Sequence, residues 1–181
     1  MEIDAQSAKA SLDDIDAIVA RVKQSAFYRG ASVLIMMWGV LVACGYVASF
    51  VLPHQASVVW IAVDVLGLLA TVAMALRYRR QGVDFDWRIV IALFLFFAVG
   101  AMCTRLGHFG PRELSAFWPI LFMFGYALAG LWLGSAFTIL GIAVAMLTFV
   151  GYLWIGDLFN LYLALVDGGG LLFAGLWMRR A

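Results

Sequence analysis

Two aspartates lie inside long apolar stretches of this 181-residue sequence, and no other residues are better suited to chemistry. Asp64 belongs to WIAVDVLGLLA, residues 60–70, and Asp167 belongs to VDGGGLL, residues 166–172. A carboxylate costs at least about 2.5–3.5 kcal/mol at the centre of a bilayer, so it is expected to face a protein interior rather than lipid. Each aspartate therefore marks a candidate binding position.

The chemistry expected of such a pair is the binding of a proton or a cation. Two desolvated carboxylates that lie close together can share one proton. At 1.5 Å per helical residue, both aspartates fall about 12–14 Å from the same membrane surface, which suggests one polar cavity in the outer half of a bundle. The predicted ligand- or ion-binding residues share this outer half or its rim: Asp64, Asp167, Asn160, Arg105 and Asp157.

Other site chemistries lack their residue patterns. No phosphate-cradling GxxxxGK[ST] and no GxSxG of a serine hydrolase occurs, and we predict no cofactor and no metal centre. His54 and His108 are isolated, so they are weak metal candidates. Cys44 and Cys103 lack the CxxC spacing and are interpreted as small buried apolar residues.

The elements that must position these residues are membrane helices. Hydrophobic residues make up 65% of the chain and charged residues 13%, about half the share that is usual in soluble domains. The net charge of +1 gives no field that would attract nucleic acid, so direct nucleic-acid binding is not expected. The sequence predicts an all-α integral membrane protein with the lipid bilayer as its main surroundings.

Six transmembrane spans, arranged as three helical hairpins, follow from the apolar runs. A span needs about 20 residues to cross a hydrocarbon core of roughly 30 Å. The uncharged run 114–156 would be about 64 Å long as one helix, so it must fold back, and WLGSAF places its turn near Gly134 and Ser135. The predicted spans are 31–52, 56–76, 89–104 between Arg88 and Arg105, the two halves of 114–156, and 158–178.

Lysine and arginine placement predicts the orientation. Ten of the twelve lysines and arginines precede the first span, lie between the second and third spans, or follow the sixth. Only Arg105 and Arg112 fall on the opposite side, so the positive-inside rule places both termini in the cytoplasm. We expect a multi-pass protein of a bacterial inner membrane.

The first 30 residues predict a cytoplasmic amphipathic helix, separate from the transmembrane domain of residues 31–181. Acidic residues take the place of the basic and apolar regions of a signal peptide. The apolar stripe of this helix suits either the membrane surface or a groove on a cytosolic protein partner. The predicted partner-docking residues recur at helical spacing: Leu12, Ile15, Val19 and Val22.

An internal hairpin repeat is suggested by the aspartate segments. VDVLGLL at residues 63–69 matches VDGGGLL at residues 166–172 in five of seven positions, and GVLVA at 39–43 matches GIAVA at 141–145 in the preceding spans. Parallel repeats of two-helix units would produce this pattern. Chance matches in a chain rich in Gly, Leu, Ala and Val are the competing explanation.

Three functional classes fit a polar cavity in such a bundle. We favour a non-catalytic sensor or regulatory subunit with an outward-facing polar pocket, because ionisable residues are absent from the inner halves of the spans. The alternative is a proton- or cation-coupled small transporter or channel subunit, in which a homo-oligomer could build the missing path. An intramembrane aspartyl hydrolase is the least favoured, since residues 167–170 read DGGG rather than the GxGD of presenilin-like enzymes.

Overall fold

The structure is a computed structural model that describes residues 30, 32–80 and 87–180. The described chain is helical and contains no strand. The last helix, α6, consists of Phe159–Leu163, a π-helical turn at Ala164–Gly168, and Gly169–Arg180. The five helices that precede it are α1 (Ser32–Val51), α2 (Ala56–Arg80), α3 (Trp87–Leu106), α4 (Pro111–Leu133) and α5 (Ser135–Trp154).

Five of these helices are long and apolar enough to cross a membrane, namely α1, α2, α4, α5 and α6. The apolar part of α3, Ile91–Leu106, is shorter. A helix rises 1.5 Å per residue, so 20 or more residues reach across a hydrocarbon core of about 30 Å. The chain is therefore a multi-pass membrane protein with an all-helical bundle, as the sequence predicts.

The fold-back between α4 and α5 confirms the turn predicted in WLGSAF. Gly134 separates the two helices with φ 136° and ψ 147°, a conformation that side chains rarely adopt. Beyond the turn the helices stay in close contact. A Cβ on Gly141 would lie 2.4 Å from the carbonyl oxygen of Met123, and one on Gly130 would overlap the backbone of Thr138. Small residues thus bring the two backbones together, which is the usual way for helices to pack in lipid.

Helix α1 lies between α2 and α6. On one side, the indole of Trp38 packs onto Gly67 and its Nε1 donates a hydrogen bond to Thr71 Oγ1 at 3.2 Å. On the other side, Gly39 and Ala43 contact α6. Trp38 therefore packs between helices α1 and α2.

Helix α1 also reaches α4, because the hydroxyl of Tyr46 donates to the carbonyl oxygen of Ser115 at 3.0 Å. Helices α1, α4, α5 and α6 accordingly form a four-helix core, and α5 contacts every segment of α6. Helix α2 packs on α1, and α3 packs on α4 through Phe96, Phe97, Trp118 and Phe122.

Two ends of the bundle can be named from their residues. The end where α1 finishes, α4 starts and α5 meets α6 is called the Arg112 end. The end that carries the α4–α5 turn is called the Gly134 end. Both cysteines differ from the prediction, since Cys44 and Cys103 are free and exposed on the bundle surface rather than buried. They lie on helix faces that no other described helix covers.

The predicted N-terminal amphipathic helix of residues 1–30, with the docking residues Leu12, Ile15, Val19 and Val22, lies outside the described residues apart from residue 30.

Candidate functional site

Asp167 is the charged residue at the centre of the four-helix core. It is 4% exposed, and its Oδ1 has no hydrogen-bond partner in the described part of the chain. Buried polar atoms in native proteins are nearly always hydrogen-bonded, so an unpartnered carboxylate oxygen calls for a functional explanation. Asp167 therefore leads the candidate site.

The backbone at Asp167 is irregular. Residues Ala164–Gly168 form a π-helical turn within α6, and three consecutive glycines start at Gly168. Glycine lowers helix stability by about 1 kcal/mol relative to alanine, so this stretch accepts a local distortion more readily than the rest of α6. Single π-helical turns occur often at functional sites. The irregular backbone of α6 therefore coincides with its buried carboxylate.

Two tyrosines face the same interior. Tyr46 of α1 and Tyr126 of α4 lie close enough to Asp167 to interact electrostatically with its carboxylate. Tyr46 is 1% exposed, and the ring of Tyr126 stacks on Phe137 with the ring centroids 6.0 Å apart. The carboxylate is thus surrounded by phenols and apolar groups, and no described cation is bonded to it.

Three buried hydroxyl groups resemble Asp167 in lacking a hydrogen-bond partner. The Oγ atoms of Ser32 and Ser49 and the Oγ1 atom of Thr148 have no partner among the described residues. Ser32 and Ser49 lie on α1, and Thr148 lies on α5. Unsatisfied polar atoms in an interior are the places where water or a small polar solute gains hydrogen bonds.

Apolar clusters lie on both sides of Asp167 along α6. Toward the Arg112 end, Leu163 is fully buried, and toward the Gly134 end, Leu171 is 4% exposed. The cluster on the Arg112 side contains Tyr46, Ala116, Phe159 and Leu163, and the other contains Ile35, Met123, Phe137, Leu140, Val144, Leu171, Ala174 and Met178. Among the described residues, apolar side chains therefore lie between Asp167 and each end of the bundle. The outward-facing polar pocket stays a prediction.

Glycines next to Asp167 bring α6 against α1. A Cβ on Gly168 would lie 2.6 Å from the Cβ of Ala43, and a Cβ on Gly39 would lie 3.0 Å from the carbonyl oxygen of Gly168. Two helical turns further along α6, Gly175 meets Met36 and the carbonyl oxygen of Ser32. We call this contact the α1–α6 seam. It places the π-helical turn directly on the backbone of α1.

Asp64 does not join Asp167. Its neighbour Val63 contacts Gly45 of α1, and the neighbour of Asp167, Gly168, contacts Ala43, so the two aspartates lie at the same level of α1. Asp64, however, is exposed on α2, whereas Asp167 is buried. The two aspartates thus lie at the same level of the bundle, but the described residues do not enclose both carboxylates in one cavity. The aspartates of the suggested repeat therefore have different environments.

The other predicted site residues lie toward the Arg112 end, away from the Asp167 interior. Asp157 is exposed in the α5–α6 connection, and Asn160 is partly buried in the first turn of α6. Arg105 is exposed at the end of α3, where it lines a surface depression of about 520 Å³ together with Thr104, His108, Phe109 and Leu114. A ligand role for Asp64, Asn160, Asp157 and Arg105 stays a prediction.

Arg112 is the cation that sequence reasoning missed. Its guanidinium donates to the carbonyl oxygens of Tyr152, Ile155 and Gly156, where α5 ends and leaves its carbonyls without helical partners. The same group lies over the rings of Tyr152 and Phe159, at 5.4 and 5.2 Å from their centroids. A cation at a helix C-terminus is favoured by the helix dipole. No sequence signal links Arg112 to carbonyls about 40 residues away.

Comparisons with protein-family models, with curated proteins and with solved structures give no match for this chain. Among the described residues, no group of three or more His, Cys, Asp or Glu side chains is arranged to hold a metal ion.

Proposed function

We propose that this protein is a small polytopic membrane protein that acts as a non-catalytic sensor or regulatory subunit, with Asp167 as its receiving group. The observation that carries the proposal is the unpartnered Oδ1 of Asp167, 4% exposed, in a π-helical turn. A buried carboxylate without a cation is costly. A ligand that supplies a proton, a positive charge or a hydrogen bond relieves that cost, and it thereby changes the free energy of the conformation that encloses it.

The apolar residues beside Asp167 restrict the ligand class. Leu163 and Leu171 are buried on either side of Asp167. We infer that a proton, a water molecule or a comparably small solute reaches the carboxylate without moving one of the apolar clusters. A change in pH is therefore the stimulus used to test Asp167. A larger cationic or apolar ligand would require the apolar cluster at the Arg112 end to open.

The α1–α6 seam offers a route from Asp167 to the cytoplasmic partner. Gly168 packs on Ala43, and Gly175 packs on Met36 and Ser32 at the start of α1. A change in the π-helical turn displaces α1 because the two backbones are already in contact. The N-terminal helix of residues 1–30 precedes α1, and we propose that Leu12, Ile15, Val19 and Val22 dock on a cytosolic protein.

The orientation in the membrane is part of the proposal. We propose six spans in three hairpins, with α3 as the third span, both termini in the cytoplasm and a bacterial inner membrane as the location. Arg77, Arg79 and Arg179 belong to the Gly134 end, whereas Arg105 and Arg112 belong to the opposite end. The positive-inside rule then makes the Gly134 end cytoplasmic. In a background without cysteine, a cysteine at 55 or 110 should react with an impermeant maleimide from outside, and one at 82 should not.

The experiment compares Asp167→Asn with Asp157→Asn in nanodiscs, using pH 5 and pH 8 as the stimulus. Both substitutions remove one carboxylate, but Asp157 is exposed. We expect the protection factor for hydrogen exchange at the start of α1, which is corrected for the intrinsic pH dependence of amide exchange, to change with pH in the wild type and in Asp157→Asn. It should not change with pH in Asp167→Asn. Equal pH dependence in all three proteins would remove Asp167 from the proposal.

A second experiment tests the N-terminal segment. Deletion of Met1–Gln24 should abolish signalling in cells while thermal unfolding in detergent stays cooperative. If the deletion unfolds the bundle instead, the segment belongs to the structure rather than to a docking device.

Transport is the second candidate, because a buried carboxylate at mid-membrane depth is also the usual feature of a proton-coupled carrier. An occluded carrier is closed at both ends, as the Asp167 interior is. Proteoliposomes that contain a pH-sensitive dye separate the two functions: a proton flux that Asp167→Asn abolishes would establish transport, and its absence with an intact conformational response supports the sensor.

A further inference from the structure

Asp64 has an environment that the described residues of one copy do not complete. It is exposed on α2, eight residues from the start of that helix and thus about 12 Å along it. Among the described residues, its carboxylate has neither a hydrogen bond nor an ion pair. The described arginines that flank the spans lie at the ends of the bundle. An exposed carboxylate at this depth faces lipid unless something covers it.

Helix α2 has room for a partner. Of the 18 consecutive residues that are most apolar in this span, 11% are buried, against 22% to 39% in the other four long spans. Ile61 and Leu68, on the same side of α2 as Asp64, are 63% and 61% exposed. We call Ser57, Ile61, Asp64 and Leu68 the α2 face. These positions alternate by four and three residues, which is the spacing of a left-handed helix pair. Every face of an apolar helix has apolar residues at that spacing. The presence of Asp64 is what distinguishes the α2 face from the other faces.

We propose that the α2 face is a homodimer interface in which the Asp64 carboxyls of two copies share a proton. Two copies inserted in the same direction and related by a twofold axis along the membrane normal place their Asp64 residues at identical depth. One protonated carboxyl then donates to the other, and a single arrangement satisfies both. An unrelated partner would need a cation or a donor at this same depth. This inference does not depend on the proposed function.

Cross-linking in the membrane tests the face. In full-length protein with Cys44 and Cys103 changed to Ser, Leu68→Cys is compared with Leu66→Cys. Leu66 is 57% exposed at the same depth but points to the opposite side of α2, so it is the matched control. We expect oxidation to give a covalent dimer with Leu68→Cys and at least tenfold less with Leu66→Cys. Equal yields, more dimer from Leu66→Cys, or a link to a different protein would overturn the proposal.

A second pair of variants tests the carboxyl itself. Asp64→Leu removes the carboxyl from the face at an exposed position, so the chain keeps its fold. Asp64→Asn keeps a side chain that can hydrogen-bond to the same residue of the second copy. Interhelical hydrogen bonds in membranes contribute about 1–2 kcal/mol in model peptides. We expect the dimer dissociation constant, measured by single-molecule photobleaching in vesicles, to rise about tenfold in Asp64→Leu and to stay near the wild-type value in Asp64→Asn. A dimer that Asp64→Leu leaves unchanged, or a wild type that is monomeric, would refute the shared proton.

Discussion

Helices α2 and α6 each carry one aspartate at the same level of α1, yet one aspartate is exposed and the other is buried. On α6 the neighbouring Gly168 lets the backbone close onto Ala43, and Asp167 is buried among four core helices. On α2 the neighbouring Val63 meets Gly45, the indole of Trp38 fills the notch at Gly67, and Asp64 stays exposed. Hydropathy therefore sets the depth of a polar residue, and the small residues around it decide which side of the helix is covered.

The largest expected effect comes from adding one methyl group at the two glycines. Gly168→Ala would place a Cβ 2.6 Å from the Cβ of Ala43 and 2.9 Å from its backbone atoms. Backbone atoms cannot move away from the added methyl group as readily as a flexible side chain can. We therefore expect the free energy of unfolding to fall by about 2–3 kcal/mol. In Gly67→Ala the obstacle is the Trp38 ring alone, and the loss should be about 1 kcal/mol. Thermal or SDS-induced unfolding in micelles measures both.

Gly169→Ala is the control for this pair. The nearest atom to its added Cβ is Leu165 Cδ1 at 3.9 Å, and alanine is the better helix former. It should leave stability unchanged or raise it slightly. If Gly168→Ala were as harmless as Gly169→Ala, the α1–α6 seam would not be a tight contact.

A second comparison concerns the stability contributed by two arginines, the partly buried Arg112 and the exposed Arg105. Arg112→Ala removes three hydrogen bonds to carbonyls at the end of α5 and the stacking on Tyr152 and Phe159. Since bonds from charged donors are worth about 1.5–3 kcal/mol, we expect a loss of about 2 kcal/mol. Arg105→Ala, at an exposed position of α3, should have little effect. Equal losses would mean that α3 is as firmly held as the four-helix core.

The two aspartates should differ in stability as well as in function. Asp167→Asn keeps the shape and removes a buried charge that has no described cation, so it should stabilise the bundle by about 1 kcal/mol near neutral pH. Asp64→Asn should leave the unfolding of the chain unchanged, because Asp64 is exposed. Unfolding of the two variants side by side tests this. A clear loss of stability in Asp167→Asn would indicate a partner for its carboxylate.

Whether a feature of the fold or the site can be predicted from the sequence depends on how far apart along the chain the residues that determine it lie. The spans and the Gly134 turn depend on local hydropathy and on one glycine, and the depth of Asp64 and Asp167 follows from counting residues. The exposure of Asp64 and the Arg112 contacts depend on which helices become neighbours. For α1 and α6 that choice rests on contacts between residues more than 100 positions apart, Gly39 with Gly168 and Gly175 with Met36. Nothing in the local sequence distinguishes these glycines from the others.

The smallest expected effect lies in a helix cap next to Arg105. His108 ends α3 with φ 49°, and the bonds from Phe109 N to Thr104 O and from His108 N to Arg105 O are those of a Schellman motif. Glycine is the usual residue at this left-handed position, because any Cβ costs about 1 kcal/mol there. His108→Gly should therefore raise stability by about 0.5 kcal/mol, after the entropy that glycine adds to the unfolded chain. His54 lies in the 3₁₀ turn Pro53–Gln55 without a positive φ, so His54→Gly should lower stability instead. Opposite signs for the two histidines in unfolding experiments would establish the cap, and a loss with His108→Gly would instead assign the His108 ring a contact of its own at the rim of the Arg105 depression.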